Sequence, residues 1–73
     1  MKENDLEMLR EDLVGELQAI NQYQNHIDTL SDKEAKEALI HVIMDEKEHV
    51  AELTKLIRKN DIVQDGKFNK ETL

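Results

Sequence analysis

The chain has 73 residues, 17 acidic and 10 basic, a net charge of −7, and neither cysteine nor proline. That length holds one domain at most, and the missing cysteines exclude a disulfide framework and any thiolate metal site. The acidic balance disfavours nucleic acid and anionic lipid and favours cations. No apolar run approaches the ~20 residues that span a bilayer. The polar start, Met1-Lys2-Glu3-Asn4-Asp5, has no signal-peptide core, so a cytoplasmic location is expected. With 37% charged residues and only Tyr23 and Phe68 as aromatics, the composition is that of long helices, not of sheets.

A first helix is predicted over about 5–30. Asn4 and Glu7 have the spacing of a capping box, in which each side chain satisfies a free backbone donor of the first turn. Behind it runs an apolar seam of Leu6, Leu9, Leu13, Ile20, Ile27 and Leu30. With positions 16 and 23 included, its steps alternate three and four without a break, the period of knobs-into-holes packing.

A second helix is predicted over about 32–59, opened by a second capping box at Ser31 and Glu34. Its seam runs Ala35, Leu39, Val42, position 46, position 49, Leu53 and Leu56. A neighbouring stripe holds Ile40, Ile43, Val50 and Ile57, as Val14 and Leu17 do on the first helix. The tight connection at Leu30-Ser31-Asp32 makes the two helices antiparallel neighbours. Residues 1–59 thus read as an all-α two-helix hairpin. Two helices bury one seam between them but not a broad apolar face, and so small a hairpin is marginal alone. The expectation is a homodimer that completes a four-helix bundle. Residues 60–73 have no clear period, carry a turn signal at Asp65-Gly66, and read as a tail whose Ile62, Val63, Phe68 and Leu73 could dock on the bundle or a partner.

Four seam positions are not aliphatic: Glu16, Tyr23, Glu46 and His49. A carboxylate buried in a bundle costs several kcal/mol unless it is paired or coordinated. Glu16 and Glu46 are equidistant from Ser31, so the hairpin sets them at one height, where they repel unless a cation or proton lies between them. Glu46-x-x-His49 puts its two side chains on one helical face, one turn apart. Two chains would supply four carboxylates and two imidazoles, the ligand set of di-iron and di-manganese carboxylate bundles. Oxygen-rich ligands with one histidine per metal suit iron, with manganese possible; structural zinc usually takes more nitrogen or sulfur. A Glu-x-x-His pair alone is also common on solvated acidic helices. Tyr23 reads equally as a ligand's neighbour or as an amphipathic core residue. His26 and His41 fall off the seam and read as surface residues, as do Asp45 and Glu48, though either acid could guide cations inward. Gly15, costly inside a helix, either allows close helix approach beside Glu16 or is incidental.

Leu13-Val14-Gly15-Glu16-Leu17-Gln18-Ala19-Ile20-Asn21-Gln22-Tyr23 and Ile43-Met44-Asp45-Glu46-Lys47-Glu48-His49-Val50-Ala51-Glu52-Leu53, with the distance between them, resemble the encapsulated ferritins. These are short members of the ferritin and rubrerythrin superfamily, and the resemblance covers roughly residues 5 to 59. It implies a hairpin that dimerises into a ferritin-like bundle, with a ferroxidase centre only where two chains meet. Glu16, Glu46 and His49 would be the metal ligands and Tyr23 the nearby aromatic. It further implies a ring of dimers that oxidises Fe(II) inside an encapsulin shell, where the mineral is stored. Two departures stand out. Family members often carry further carboxylates beside the first ligand, where this chain has Gly15 and Gln18. The family's shell-docking peptide is short, C-terminal, and contains Gly and Leu; Ile62-Val63-Gln64-Asp65-Gly66-Lys67-Phe68 does not match it. Two other readings compete: a rubrerythrin-like peroxide reductase, for which the chain lacks the cysteines of a rubredoxin-type iron site, and a metal-free helical interaction module whose polar seam residues set register.

Overall fold

The computed structural model describes residues 3–71. Three helices follow in order, α1 (Glu3–Thr29), α2 (Lys33–Asn60) and α3 (Ile62–Lys70), with no strand among the described residues. α1 and α2 form an antiparallel hairpin closed by residues 30–32.

Both predicted caps differ from what the chain does. α1 already runs through Asn4, so Asn4 is a helical residue and the Asn4–Glu7 box is not formed. At α2 the cap is Asp32, not Ser31: its backbone is extended and its carboxylate accepts from the Ala35 N–H at 2.7 Å. A charged acceptor at a helix N-terminus makes the stronger bond and also meets the positive end of the helix dipole, so Asp32 outcompetes the hydroxyl beside it.

The α1 side of the seam lies where the period puts it: Leu6, Leu9, Leu13, Ile20, Ile27 and Leu30 are all partly buried. On α2 the seam is rotated. Ile43 and Ile57 are the buried residues, at 7% and 5% exposure, whereas Leu56 is 42% exposed. Two registers share Leu39, Glu46 and Leu53; one adds Val42, His49 and Leu56, the other Ile43, Val50 and Ile57. The second buries more branched apolar volume, so it wins. The same rotation leaves His49 at the margin of the seam.

The protein measures 45 × 30 × 14 Å. A helix with its side chains is about 10–12 Å across, so the molecule is one helix thick. A single layer cannot enclose a core of the usual two-layer kind. Met8, Val14, Leu17, Ile40 and Met44 accordingly stay about half or more exposed.

Residues 62–70, expected to be irregular, form α3. Asp61 ends α2 and caps α3, accepting from the Gln64 N–H at 3.0 Å. Arg10 of α1 reaches the same carboxylate at 2.7 Å, tying α3 to the far helix. The Gln64 N–H and the Arg10 guanidinium hold the Asp61 carboxyl below its usual range. Arg58 secures the rest: its Nε donates to Asp65 at 2.7 Å, its Nη2 to Asn69 at 3.0 Å, and its guanidinium lies 4.7 Å from the centre of the Phe68 ring. Gly66 lies within α3, so Asp65-Gly66 makes no turn. No described helix is long and apolar enough to cross a membrane.

Candidate metal centre

Three ligand-type side chains converge on one flank of the hairpin, near its middle. Glu16 comes from α1; Glu46 and His49 come from adjacent turns of α2. Helix pairing brings the two carboxylates level, and the i, i+3 step stacks the imidazole beside Glu46. His49 Nδ1 lies 3.5 Å from Glu16 Oε2 and 3.9 Å from Glu46 Oε2. One potential ligand atom from each residue falls within 4.8 Å of the other two. A divalent ion with bonds of about 2.1 Å spans ligand atoms up to about 4.2 Å apart, so small side-chain movements would let one ion meet all three.

Burial differs among the three. The Glu46 and Glu16 side chains are 17% and 26% exposed, that of His49 47%. Glu16 Oε2 is itself buried and has no hydrogen-bond partner. A buried acceptor left unmatched costs roughly 1–3 kcal/mol, more when charged. Acidic oxygens and one imidazole nitrogen form the donor set that a hard or borderline divalent cation satisfies, and the orphaned oxygen is where such an ion would be held. The residues therefore fit a metal. They also leave its coordination incomplete, since three protein ligands fill half of an octahedron.

The group lines an open cleft of about 470 Å³ shared with Glu11, Asp12, Gly15, Ala19, Glu52 and Leu53. Glu11, Asp12 and Glu52 were not singled out by the seam, because it selects inward-facing positions. Helical spacing could have found them: Asp12 is one turn before Glu16, and Glu52 one turn after His49. Asp45 and Glu48 are exposed and do not line the cleft, so the acidic rim is made by other residues. A Cβ at Gly15 would meet nothing within 4 Å, so no close helix approach inside the protomer accounts for that glycine.

Tyr23 is half-buried on the α1 seam, outside the cleft lining, and its hydroxyl makes no hydrogen bond among the described residues. The structure thus brings Glu16, Glu46 and His49 together and does not bring Tyr23 to them within one protomer. His26 and His41 are exposed and stand apart from the group.

Comparison with known proteins gives two matches. The model of the EncFtn-like family matches residues 1–73, the whole chain. The "Encapsulin nanocompartment cargo protein EncC" of Myxococcus xanthus (strain DK1622) is 42% identical over 53 residues, which are 73% of this chain and 41% of that protein. The chain therefore spans about two-fifths of the length of this curated relative. No solved structure matches.

Proposed function

The chain belongs to the EncFtn-like family, the encapsulated ferritins that its two motifs resemble, and from that premise we propose that it is a ferroxidase acting on Fe(II) at a site completed by a second copy. The observation that carries this reading is Glu16 Oε2, buried and without a hydrogen bond, grouped with Glu46 and His49. Glu16, Glu46 and His49 of both copies would hold a pair of iron ions, with Mn(II) as a competing metal. The dimer would be a four-helix bundle in which the cleft of each hairpin faces its partner. Iron is the substrate: each pair of Fe(II) ions would give two electrons to one dioxygen, which takes two protons from solvent and leaves as hydrogen peroxide, while the irons leave as Fe(III).

The protein's part in this is positional and electrostatic. Four carboxylates draw two divalent ions close and offset the charge each ion gains on oxidation. The imidazoles add one neutral donor per ion and fix the spacing along the helix. Tyr23 is proposed as an aromatic neighbour of the paired site, reached across the dimer and not within one hairpin. The relative is by name an encapsulin cargo protein; by the same logic this chain would work inside an encapsulin shell in the cytoplasm.

The test is stoichiometric. Metal-free protein is titrated anaerobically with Fe(II), then exposed to air. The proposal expects two Fe(II) bound per dimer and rapid loss of Fe(II) up to that ratio. Oxidation no faster than in buffer would overturn it.

A further inference from the structure

The charges of this acidic chain are unevenly divided. Residues 1–54 carry fourteen acids against five cations, whereas residues 55–70 carry Lys55, Arg58, Lys59, Lys67 and Lys70 against Asp61 and Asp65. Both of those acids are already paired, Asp61 with Arg10 and Asp65 with Arg58, each at 2.7 Å. Where the end of α2 meets α3 lies an open groove of about 630 Å³, whose lining includes Thr54, Lys55, Arg58, Lys59, Ile62 and Asp65 and no residue of α1. It shares no lining residue with the metal cleft.

The cations of the groove lack partners. Lys55 and Lys59 are exposed and make no hydrogen bond or ion pair among the described residues. Lys59 has no acid one helical turn away in either direction. Lys55 has Glu52, but Glu52 lines the metal cleft. The two lysines are instead neighbours at i, i+4, a destabilising spacing for like charges. The helix dipole favours Arg58 and Lys59, in the last turn of α2, and has faded by Lys55. Arg58 is held in place: Nε donates to Asp65, Nη2 to Asn69, and the guanidinium lies 4.7 Å from the centre of the Phe68 ring. Its Nη1 makes no hydrogen bond among the described residues, nor does the Thr54 hydroxyl. A guanidinium already immobilised gives up little further freedom when it binds.

We infer that this groove binds a phosphate dianion, free or as the terminal group of a small metabolite. Three cations at i, i+3 and i+4 supply the charge, and the free donors of Arg58, Thr54 and the lysines answer several acceptor oxygens at once. Asp65 does not repel the anion strongly, because Arg58 already neutralises it. Ile62, 88% exposed, would border the carbon body of a monoester. The site stands apart from the iron reading, and either can fail without the other.

The test is an amide-shift titration of the isotope-labelled full chain, free of metal and of chelator, at constant ionic strength. Inorganic phosphate is added in one series and glycerol phosphate in another. Shifts should saturate on the order of 1 mM and concentrate in residues 54–62. Residues 33–36, at the other end of α2, should stay unmoved. Lys55→Glu combined with Lys59→Glu should weaken binding at least tenfold, whereas Lys33→Glu, the same change on another exposed lysine, should leave it within about twofold. Tighter binding of the monoester would assign the groove to a metabolite, and tighter binding of inorganic phosphate to the free ion; both uphold the site. Shifts that never saturate, or that are as large at Lys33 and Lys36, would overturn it. So would unchanged affinity in the double variant.

Discussion

His49 Nδ1 lies nearer to Glu16 on the opposite helix, at 3.5 Å, than to Glu46 on its own, at 3.9 Å. The imidazole thus reaches across the hairpin as well as lying beside its own helical neighbour. The metal group is therefore a property of helix pairing and would come apart if α1 and α2 slid by one turn.

Removal of any one of the three side chains should disable the site. Glu16→Ala, Glu46→Ala and His49→Ala would each delete two of the proposed ligands per proposed dimer and should slow Fe(II) oxidation at least tenfold, a loss of about 1.4 kcal/mol or more in barrier terms. His41→Ala, on an exposed position outside the group, should stay within about twofold of the parent. Stopped-flow oxidation assays decide this, and equal losses at His41 and His49 would refute the assignment.

Metal should promote association. In the proposed dimer, four carboxylates from two copies would crowd one interface without a cation; with Fe(II) they would become ligands, and binding would favour the associated state by mass action. Average mass in native spectra should rise on anaerobic addition of Fe(II) and fall again with chelator. An unchanged distribution would mean that the site is not interfacial.

The metal-free protein should be less stable than a variant that lacks the site. Changing Glu16, Glu46 and His49 together to Leu replaces crowded polar groups with apolar ones, a change that is often stabilising by about 1–4 kcal/mol. For a chain of this size that corresponds to a melting temperature higher by ~5 °C or more. If the three residues instead served a metal-free module by setting register, the same change would scramble the oligomer and leave the melting temperature in chelator little altered.

Gly15→Ala isolates a different question. The added Cβ meets nothing within the protomer, so helix propensity alone should stabilise the metal-free chain by about 0.5–1 kcal/mol. A denaturant midpoint that falls instead would mean that the glycine is needed for close approach by a second copy.

The anchoring of α3 should depend on pH through Asp61. Its carboxyl is held below the usual range in the folded state by the Gln64 N–H and by Arg10. A lowered acid value means that the contribution is fully present above the unfolded carboxylate range and is lost as pH falls through the folded value. Amide protection of Gln64 and Asp65 should decline on acidification before that of the α1–α2 seam. Asp61→Asn should weaken the Arg10 tie and remove most of that pH dependence.

Much of the fold and of the ligand group is legible in the sequence. The α1 seam and the convergence of Glu16, Glu46 and His49 follow from period and spacing, because a hairpin converts distance from its turn into height. The α2 face was harder. Registers through Val42 or Ile43 obey the same alternation, and only the balance of buried volume across the whole pair selects Ile43 and Ile57. Helix α3 was invisible to periodicity for another reason. It is held by Arg58, Arg10 and the Asp61 cap, and such polar clasps leave no apolar rhythm to read. Tyr23 lies on the α1 seam yet outside the cleft, because a seam position fixes the line a side chain lies on and not its partner.

A sheet of helix 14 Å thick has no inside. An ion taken up by the open cleft of a single hairpin stays in reach of solvent, and no cavity within the hairpin could accumulate a solid. If the chain oxidises iron, it works as a surface over which iron passes, and Fe(III), nearly insoluble at neutral pH, begins to precipitate where it leaves. The amount that can be stored is then set by the walls around the protein and not by the protein, which would make its natural unit of function a population of copies facing one enclosed volume.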